Sequence, residues 1–296
     1  MATTTPTIGF IGLGLMGAGF VKRLIASGHK VVGYDIVPAK VAAAVALGAE
    51  AGHSPADVAA RCSIVCVCVM TAADLTSVIQ GEGGIASAGR LEGKVMVDHS
   101  TTLIEVTKRL AGVLAEKTGM GWVDAPVSGG PGAAEAGTLA IMAGGSNADI
   151  ARVAAVMAHL GTFTHMGPLT AGQATKMVNQ VLVLNNYVVI AEALRLAEAY
   201  GVDASKVPTA LASGFAGSNL LPVMMERMIA RDWTPKGYAF QVLKDLEMVN
   251  DAAKAEHLAM PMLSQALTLF RILYAQGKGN LDGAAVLELL PEPGKH

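Results

Sequence analysis

Three groups of residues in this 296-residue chain have types and spacings that can do chemistry. Gly12-Leu13-Gly14-Leu15-Met16-Gly17 is a G-x-G-x-x-G motif: Gly12 permits a tight turn, Gly14 lets a pyrophosphate approach the backbone, and Gly17 lets a helix pack on a strand. The N–H groups opening that helix then point at the phosphates. Asp35 stands 18 residues after Gly17, at the end of the next strand, where its carboxylate accepts hydrogen bonds from ribose hydroxyls and repels a 2′-phosphate. Ile36 occupies the place where an arginine would suit NADP, so the residues predict NAD in preference to NADP. In the segment from Asp124 to Gly145, Ser128, Gly129 and Gly130 fall in a loop after a strand, and consecutive N–H groups beside a hydroxyl can hold a carboxylate. Lys176, Asn179 and Gln180 stand at i, i+3 and i+4 and share one helix face.

The elements that position these groups follow from the hydrophobic pattern. Thr7 to Ile11 reads as a strand, Leu15 to Ser27 as a helix closed by Gly28, and Lys30 to Asp35 as a second strand. Helical Pro38 to Leu47, strand Ser63 to Val69, a helical stretch after Ala72, strand Lys94 to Asp98, helix Leu103 to Lys117 and strand Gly121 to Ala125 continue the alternation. Such alternation predicts a parallel sheet with helices on both faces. From Thr170 to Tyr200 the spacing is helical without a proline, and Ala204–Ser213, Leu220–Ile229, Phe240–Ala255 and Pro261–Gln276 also read as helices. The expected fold is therefore α/β: a Rossmann-type dinucleotide-binding domain over residues 1–166, joined by a long helix to an all-α domain over residues 167–296.

Composition narrows the partners. Lys plus Arg is 22 against Asp plus Glu 24, a net charge of −2, which offers neither the basic stripe of a nucleic-acid binder nor a polybasic membrane patch. The run Ser63 to Met70 is far shorter than the ~20 residues a spanning helix needs, so no membrane segment is read. The N-terminus lacks a basic region followed by an apolar stretch, which predicts a cytoplasmic protein. Cys62, Cys66 and Cys68 surround one strand and read as buried core. The histidines show no metal-ligand spacing, so the expected chemistry needs no metal.

With GLGLMG at the start, DAPVSGG followed by GTLAIMAGG, then GQATKMVNQ, and Lys244-Asp245-Leu246 near the end, the chain resembles the β-hydroxyacid dehydrogenase family over essentially its whole length. The resemblance implies that Lys176 is catalytic and that Ser128, Gly129 and Gly130 bind a substrate carboxylate, with Asn179 and Gln180 flanking Lys176. It implies that Thr101 and Lys244 border the cofactor, and that Val69 and Met70 take the place, over the adenine-ribose side, where such proteins commonly carry Leu-Pro. Met70 is a departure from that pattern. It also implies a homodimer or homotetramer formed through the helical domain, acting on a small carboxylate-bearing substrate.

The implied reaction interconverts a short 3-hydroxy acid and its semialdehyde. Hydride transfer to an aldehyde creates alkoxide character, which Lys176 as an ammonium can stabilise and protonate; as a neutral amine it accepts the alcohol proton in the reverse direction. Partial burial can bring a lysine from about 10.4 towards about 7 to 8, which suits both roles. The KMVNQ segment and Leu211 to Asn219 are more similar to the tartronate semialdehyde (2-hydroxy-3-oxopropionate) reductase branch than to 3-hydroxyisobutyrate dehydrogenases, although Gly237 and Phe240 depart from it. Oxidation of 3-hydroxyisobutyrate or L-threonate is the alternative. A non-catalytic NAD-binding module is the reading from a different class, and Lys176 beside an intact carboxylate loop counts against it.

Overall fold

A computed structural model describes residues 6–294; the first five residues, on which part of the N-terminal reading rests, lie outside the described range. The chain divides into two compact units, Met1–Lys176 and Met177–His296. The division falls inside the long helix, ten residues beyond the expected 166/167 boundary.

The first unit runs β1 (Ile8–Ile11), α1 (Leu15–Ala26), β2 (Val31–Tyr34), α2 (Pro38–Ala46), β3 (Glu50–Ala51), α3 (Pro55–Arg61), β4 (Ile64–Val67), α4 (Ala72–Gln80), β5 (Val95–Asp98), α5 (Ile104–Thr118), β6 (Gly121–Asp124), β7 (Val127–Ser128), α6 (Gly130–Ala136), β8 (Leu139–Gly144), α7 (Asn147–Met157) and β9 (Gly161–Gly167). Strands β1, β4 and β5 are buried along their whole length, as expected of strands covered on both faces. Alternation sorts their side chains: Ile8, Phe10, Cys66 and Val97 pack with Phe20 and Leu24 of α1, while Ile11, Val65, Val67 and Met96 pack with Val58, Leu75, Leu110 and Leu114 of α3 to α5. Cys62 and Cys66 are buried and Cys68 half-buried, all as free thiols. Burial pushes Cys62 up to about 11 and Cys68 up to about 12, so these thiols stay protonated and inert at neutral pH.

Strand order is β3-β2-β1-β4-β5-β6-β8-β7, with β9 paired to β8. The expected parallel sheet spans β3 to β6, and its order reverses between β1 and β4, the switch point at which a crevice opens beyond the strand ends. Past β6 the sheet departs from the expectation: β8 pairs antiparallel with both β6 and β7. Hydrophobic periodicity could not reveal β7, which has two residues, and its pairing of Val127 with Ile141 and Ser128 with Ala140 is purely tertiary.

Helix α8 (Ala171–Ala199) carries the chain from the first unit into the second, where α9 (Val207–Leu211), α10 (Leu220–Ala230), α11 (Ala239–Ala255) and α12 (Pro261–Ala275) follow. By length and composition α8 could cross a membrane. Its residues Leu184, Val188, Ile190, Ala191 and Leu194 instead pack with Met224, Met228, Leu246, Val249, Leu267 and Phe270 in the second unit's core. The entry to α11 is set by Asp282, whose carboxylate accepts from the amides of Lys236 at 2.8 Å, Gly237 at 3.0 Å and Ala284 at 3.0 Å, and lies 3.5 Å from the buried Arg227 guanidinium. Removing one member of a buried ion pair strands the other. Asp282→Ala is expected to lower the unfolding free energy by about 3–5 kcal/mol, read by denaturant titration; a loss below about 1 kcal/mol would show that Asp282 does not organise this corner.

Candidate active site

Gly12 follows β1 with φ at +92°, and a Cβ there would lie 2.2 Å from the Cys68 carbonyl oxygen beyond β4. A Cβ on Gly17 would lie 1.9 Å from the Gly12 carbonyl oxygen. These two glycines are thus required by the protein's own backbone. Gly14 is different, because a Cβ on it would meet nothing within 4 Å, leaving an open side at the start of α1. First-turn amides of a helix have no intrahelical acceptor. Together with the switch-point location, this cradle fits a dinucleotide pyrophosphate.

Asp35 supports the same loop. One oxygen accepts from the Leu13 amide at 2.8 Å and the other from the Val37 amide at 2.9 Å, while Lys40 stands 3.5 Å away. The carboxylate therefore caps its own turn and also braces the glycine loop. Each carboxylate oxygen has a further lone pair, so ribose hydroxyls can still be received.

The substrate-loop candidates sit at two element ends rather than in one open loop: Ser128 closes β7 and Gly130 opens α6. Gly129 has φ at +132° and Gly130 at +74°, and a Cβ on Gly129 would lie 2.7 Å from that of Ala133. Only glycine satisfies both conditions at position 129. Lys176, 8% exposed, donates from Nζ to the Val127 carbonyl oxygen at 2.9 Å, which places its ammonium one residue from Ser128.

Beneath these groups lies a buried polar hub. The Asp124 carboxylate, at the end of β6, accepts from the amides of Thr170 at 2.7 Å and Gln173 at 2.8 Å, at the start of α8. The Gln173 side chain donates to the Ser100 carbonyl oxygen at 2.8 Å and accepts from the Thr102 amide at 3.2 Å, bracketing Thr101. Ser100 Oγ accepts from the Val69 amide at 3.0 Å. Burial pushes Asp124 up to about 6, so it is still ionised at neutral pH. Burial, reinforced by the neighbouring Asp124 charge, pushes Asp98 up to about 7. The buried Oδ2 of Asp98 has no hydrogen-bond partner, while its Oδ1 accepts from the Ser100 amide. Burial takes His99 down to about 4, and its Nδ1 is 2.8 Å from the Ala125 carbonyl oxygen, so the neutral ring donates there and stacks on Phe20.

In the second unit, Asn179 Nδ2 donates to Gln180 Oε1 at 2.8 Å, and Gln180 Nε2 donates to Asp245 Oδ2 at 2.6 Å. Lys244 Nζ is 3.3 Å from Asp245 Oδ1, and Glu247 pairs with Arg271. Asp245 thereby links three of the sequence-selected residues. Within the first unit the fold brings Gly12 to Gly17, Asp35 and Val69 to one switch point, and ties Thr101 and Lys176 into the hub around Asp124. Met70 is exposed beyond β4. The positions of Asp124, Gln173 and Ser100 are what sequence reasoning missed. Their signal is faint: a polar residue at a strand end, and a glutamine next to a glycine at a helix start.

Comparison with known proteins covers the same ground from another side. Residues 7–181 match the family described as the NAD binding domain of 6-phosphogluconate dehydrogenase, and residues 170–290 match the family described as NAD-binding of NADP-dependent 3-hydroxyisobutyrate dehydrogenase. The chain is 36% identical over 284 residues to the 2-(hydroxymethyl)glutarate dehydrogenase of Eubacterium barkeri, covering 95% of this chain and 94% of that one. It is 36% identical over 290 residues to the 2-hydroxy-3-oxopropionate reductase of Escherichia coli, covering 98% of each. A crystal structure of 3-hydroxyisobutyrate dehydrogenase from Salmonella typhimurium superposes with a TM-score of 0.87 at 28% identity, covering 96% of this chain and 99% of that one.

The open side of Gly14 separates cofactor binding from folding. Gly14→Val is expected to leave the melting temperature within about 2 °C of wild type, since a Cβ there meets nothing within 4 Å, yet to weaken NADH binding at least tenfold, about 1.4 kcal/mol, in a fluorescence titration. Unchanged NADH affinity would show that the dinucleotide does not use this cradle.

Proposed function

The chain belongs to the 3-hydroxyisobutyrate dehydrogenase-like β-hydroxyacid dehydrogenase family and is an NAD(P)-binding oxidoreductase; on that premise we propose that it interconverts a short 3-hydroxy acid and its semialdehyde, with tartronate semialdehyde (2-hydroxy-3-oxopropionate) as the substrate reduced and NAD(H) as the preferred cofactor. The observation that carries the proposal is the placement of the Lys176 ammonium 2.9 Å from the Val127 carbonyl, beside Ser128 and the two positive-φ glycines.

The bound nicotinamide supplies or receives the hydride. Residues of the chain do the rest. Gly12 to Gly17 cradle the pyrophosphate, Asp35 receives the ribose hydroxyls, and Val69, Met70 and Thr101 flank the dinucleotide. The Ser128 hydroxyl with the Gly129 and Gly130 amides holds the substrate carboxylate, which brings a β carbon of fixed distance from that carboxylate to one place. Lys176 then gives its proton to the oxygen on that carbon as the oxygen gains negative charge, and takes it back in the oxidation direction. In the second unit, the chain Asn179–Gln180–Asp245–Lys244 holds in fixed rotamers the side chains that family resemblance assigns to substrate and cofactor.

Preference for NAD rests on the Asp35 carboxylate, which a 2′-phosphate would meet with like charge. Lys40, 3.5 Å from it and half-exposed, partly neutralises that charge. The preference among substrates rests on the similarity of the KMVNQ and 211–219 segments to the reductase branch. One methylene or hydroxyl changes pocket discrimination by only ~1–3 kcal/mol. A homo-oligomer is part of the same proposal: Val178, Leu182, Val189 and Leu196 leave an exposed apolar stripe along α8, with exposed Tyr200 just past its end. So is a place in the cytoplasm.

Initial rates of NADH oxidation with tartronate semialdehyde, run beside methylmalonate semialdehyde and with NADPH in place of NADH, test substrate and cofactor together. The expected result is a higher kcat/KM for tartronate semialdehyde with NADH; a higher value with NADPH removes the assigned role of Asp35, and no rate with either substrate redirects the reading to threonate-like acids or to a binding role. Light scattering at micromolar concentration is expected to give a dimer or tetramer, and a monomer would leave the α8 stripe without its partner.

A further inference from the structure

The first turn of α8 is built in an unusual way. Thr170, the residue before the helix, has φ at +82°, a conformation that a β-branched residue rarely adopts. Such a conformation persists only where its surroundings over-determine it. What holds it is the Asp124 carboxylate. Asp124 Oδ1 accepts from the Thr170 amide and Oδ2 from the Gln173 amide, so a side chain from the end of β6 caps the first turn of α8. Backbone packs tightly around that carboxylate: a Cβ on Gly144 would lie 2.6 Å from Asp124 Oδ1, and one on Gly172 would lie 2.3 Å from the Asp124 carbonyl oxygen.

Three paths leave this point. Along α8, Lys176 is one helical turn beyond Gln173. Along the chain from Asp124, Val127 and Ser128 follow within four residues, and the Val127 carbonyl receives the Lys176 ammonium. Through the Gln173 amide, which is 1% exposed and bonded to both Ser100 and Thr102, the same turn is tied to the segment carrying Thr101.

We propose that Asp124 and Gln173 are positioning residues for Lys176, fixing the first turn of α8 against the strand ends so that the ammonium stays in register with the Ser128–Gly130 loop. The inference rests on the reading of Lys176 as the group that exchanges a proton with substrate. Asp124→Asn keeps the shape of the side chain but turns an N–H₂ group toward one of the two backbone donors, which breaks one bond and sets donor against donor. Gln173→Met keeps the backbone bond to Asp124 and removes both side-chain bonds to the Thr101 segment. Neither change touches a residue of the glycine motif.

The test is a double-mutant cycle on kcat, with NADH affinity measured by fluorescence in each variant. Asp124→Asn and Gln173→Met are each expected to lower kcat about 10- to 100-fold, the cost of misplacing a reacting group by about 1 Å, with NADH affinity within about threefold of wild type. In the Lys176→Ala background the same changes are expected to leave the residual rate, measured at high enzyme concentration, unaltered. A wild-type kcat in both variants overturns the inference, as does a loss that repeats in full in the Lys176→Ala background, which would mark an effect reached by another route. Parallel loss of NADH affinity would assign the pair to the cofactor site instead. If Asp124→Asn does not fold, the Gln173→Met arm carries the same cycle alone. Wild-type turnover in Lys176→Ala itself would remove the role of Lys176, whereas an impaired Lys176→Ala with additive losses removes only the positioning role of the pair.

Discussion

One buried carboxylate meeting two backbone amides is the interaction on which the arrangement of the first unit depends. Asp124 has no exposed surface, and leaving such a charge unpaired would cost several kcal/mol. Its bonds to the amides of Thr170 and Gln173 are charge-assisted, a class that contributes about 1.5–3 kcal/mol each. That is enough to offset the strain of a left-handed threonine, about 1–3 kcal/mol. Two requirements are met by one contact: a buried charge finds donors, and amides in the first turn of a helix find an acceptor. The consequence is geometric, since α8 can begin at only one place relative to β6.

Parallel sheets assemble function at the carboxyl ends of their strands, and each strand end here contributes a different part. β1 delivers the glycine turn, β2 delivers Asp35, β4 and β5 deliver the segments around Val69 and Thr101, and β6 delivers both Asp124 and the loop leading to Ser128. Hydrogen bonds tie these ends laterally: Asp35 to the Leu13 amide, Ser100 to the Val69 amide, Gln173 to the segment after β5. A site of this kind is rigid because its parts share partners. In the second unit Asp245 plays the corresponding part for Gln180 and Lys244, and Asp282 with Arg227 secures the entry to α11, which bears Lys244 and Asp245.

Much of this was legible in the residues, and the parts that were not have physical reasons. The glycine motif could be read because its demands are local: Gly12 and Gly17 have no room for a Cβ, and Gly14 faces open space. The long helix was legible because nearly thirty residues without proline keep one period, and its observed start at Ala171 differs by one residue from the pattern. The antiparallel extension through β7 and β8 was not legible, because a two-residue strand has no period and its pairing partner is chosen by the fold. Asp35 was read for what it offers a ribose, whereas half of its work is to cap the turn at Val37 and brace Leu13. Asp124 was read only as the first letter of a loop motif. Its role depends on residues 46 and 49 positions away, which no local pattern reports.

Amide hydrogen exchange at Thr170 and Gln173, resolved by NMR in the full chain at neutral pH, tests the claim that the Asp124 contact fixes the start of α8. Amides at the beginning of a helix ordinarily exchange fast, because they have no intrahelical acceptor and the end frays. The account predicts that these two exchange as slowly as the amides of β5 and β6. Exchange at the rate of a frayed helix end would contradict it, and would leave Lys176 on a helix whose first turn is free to move.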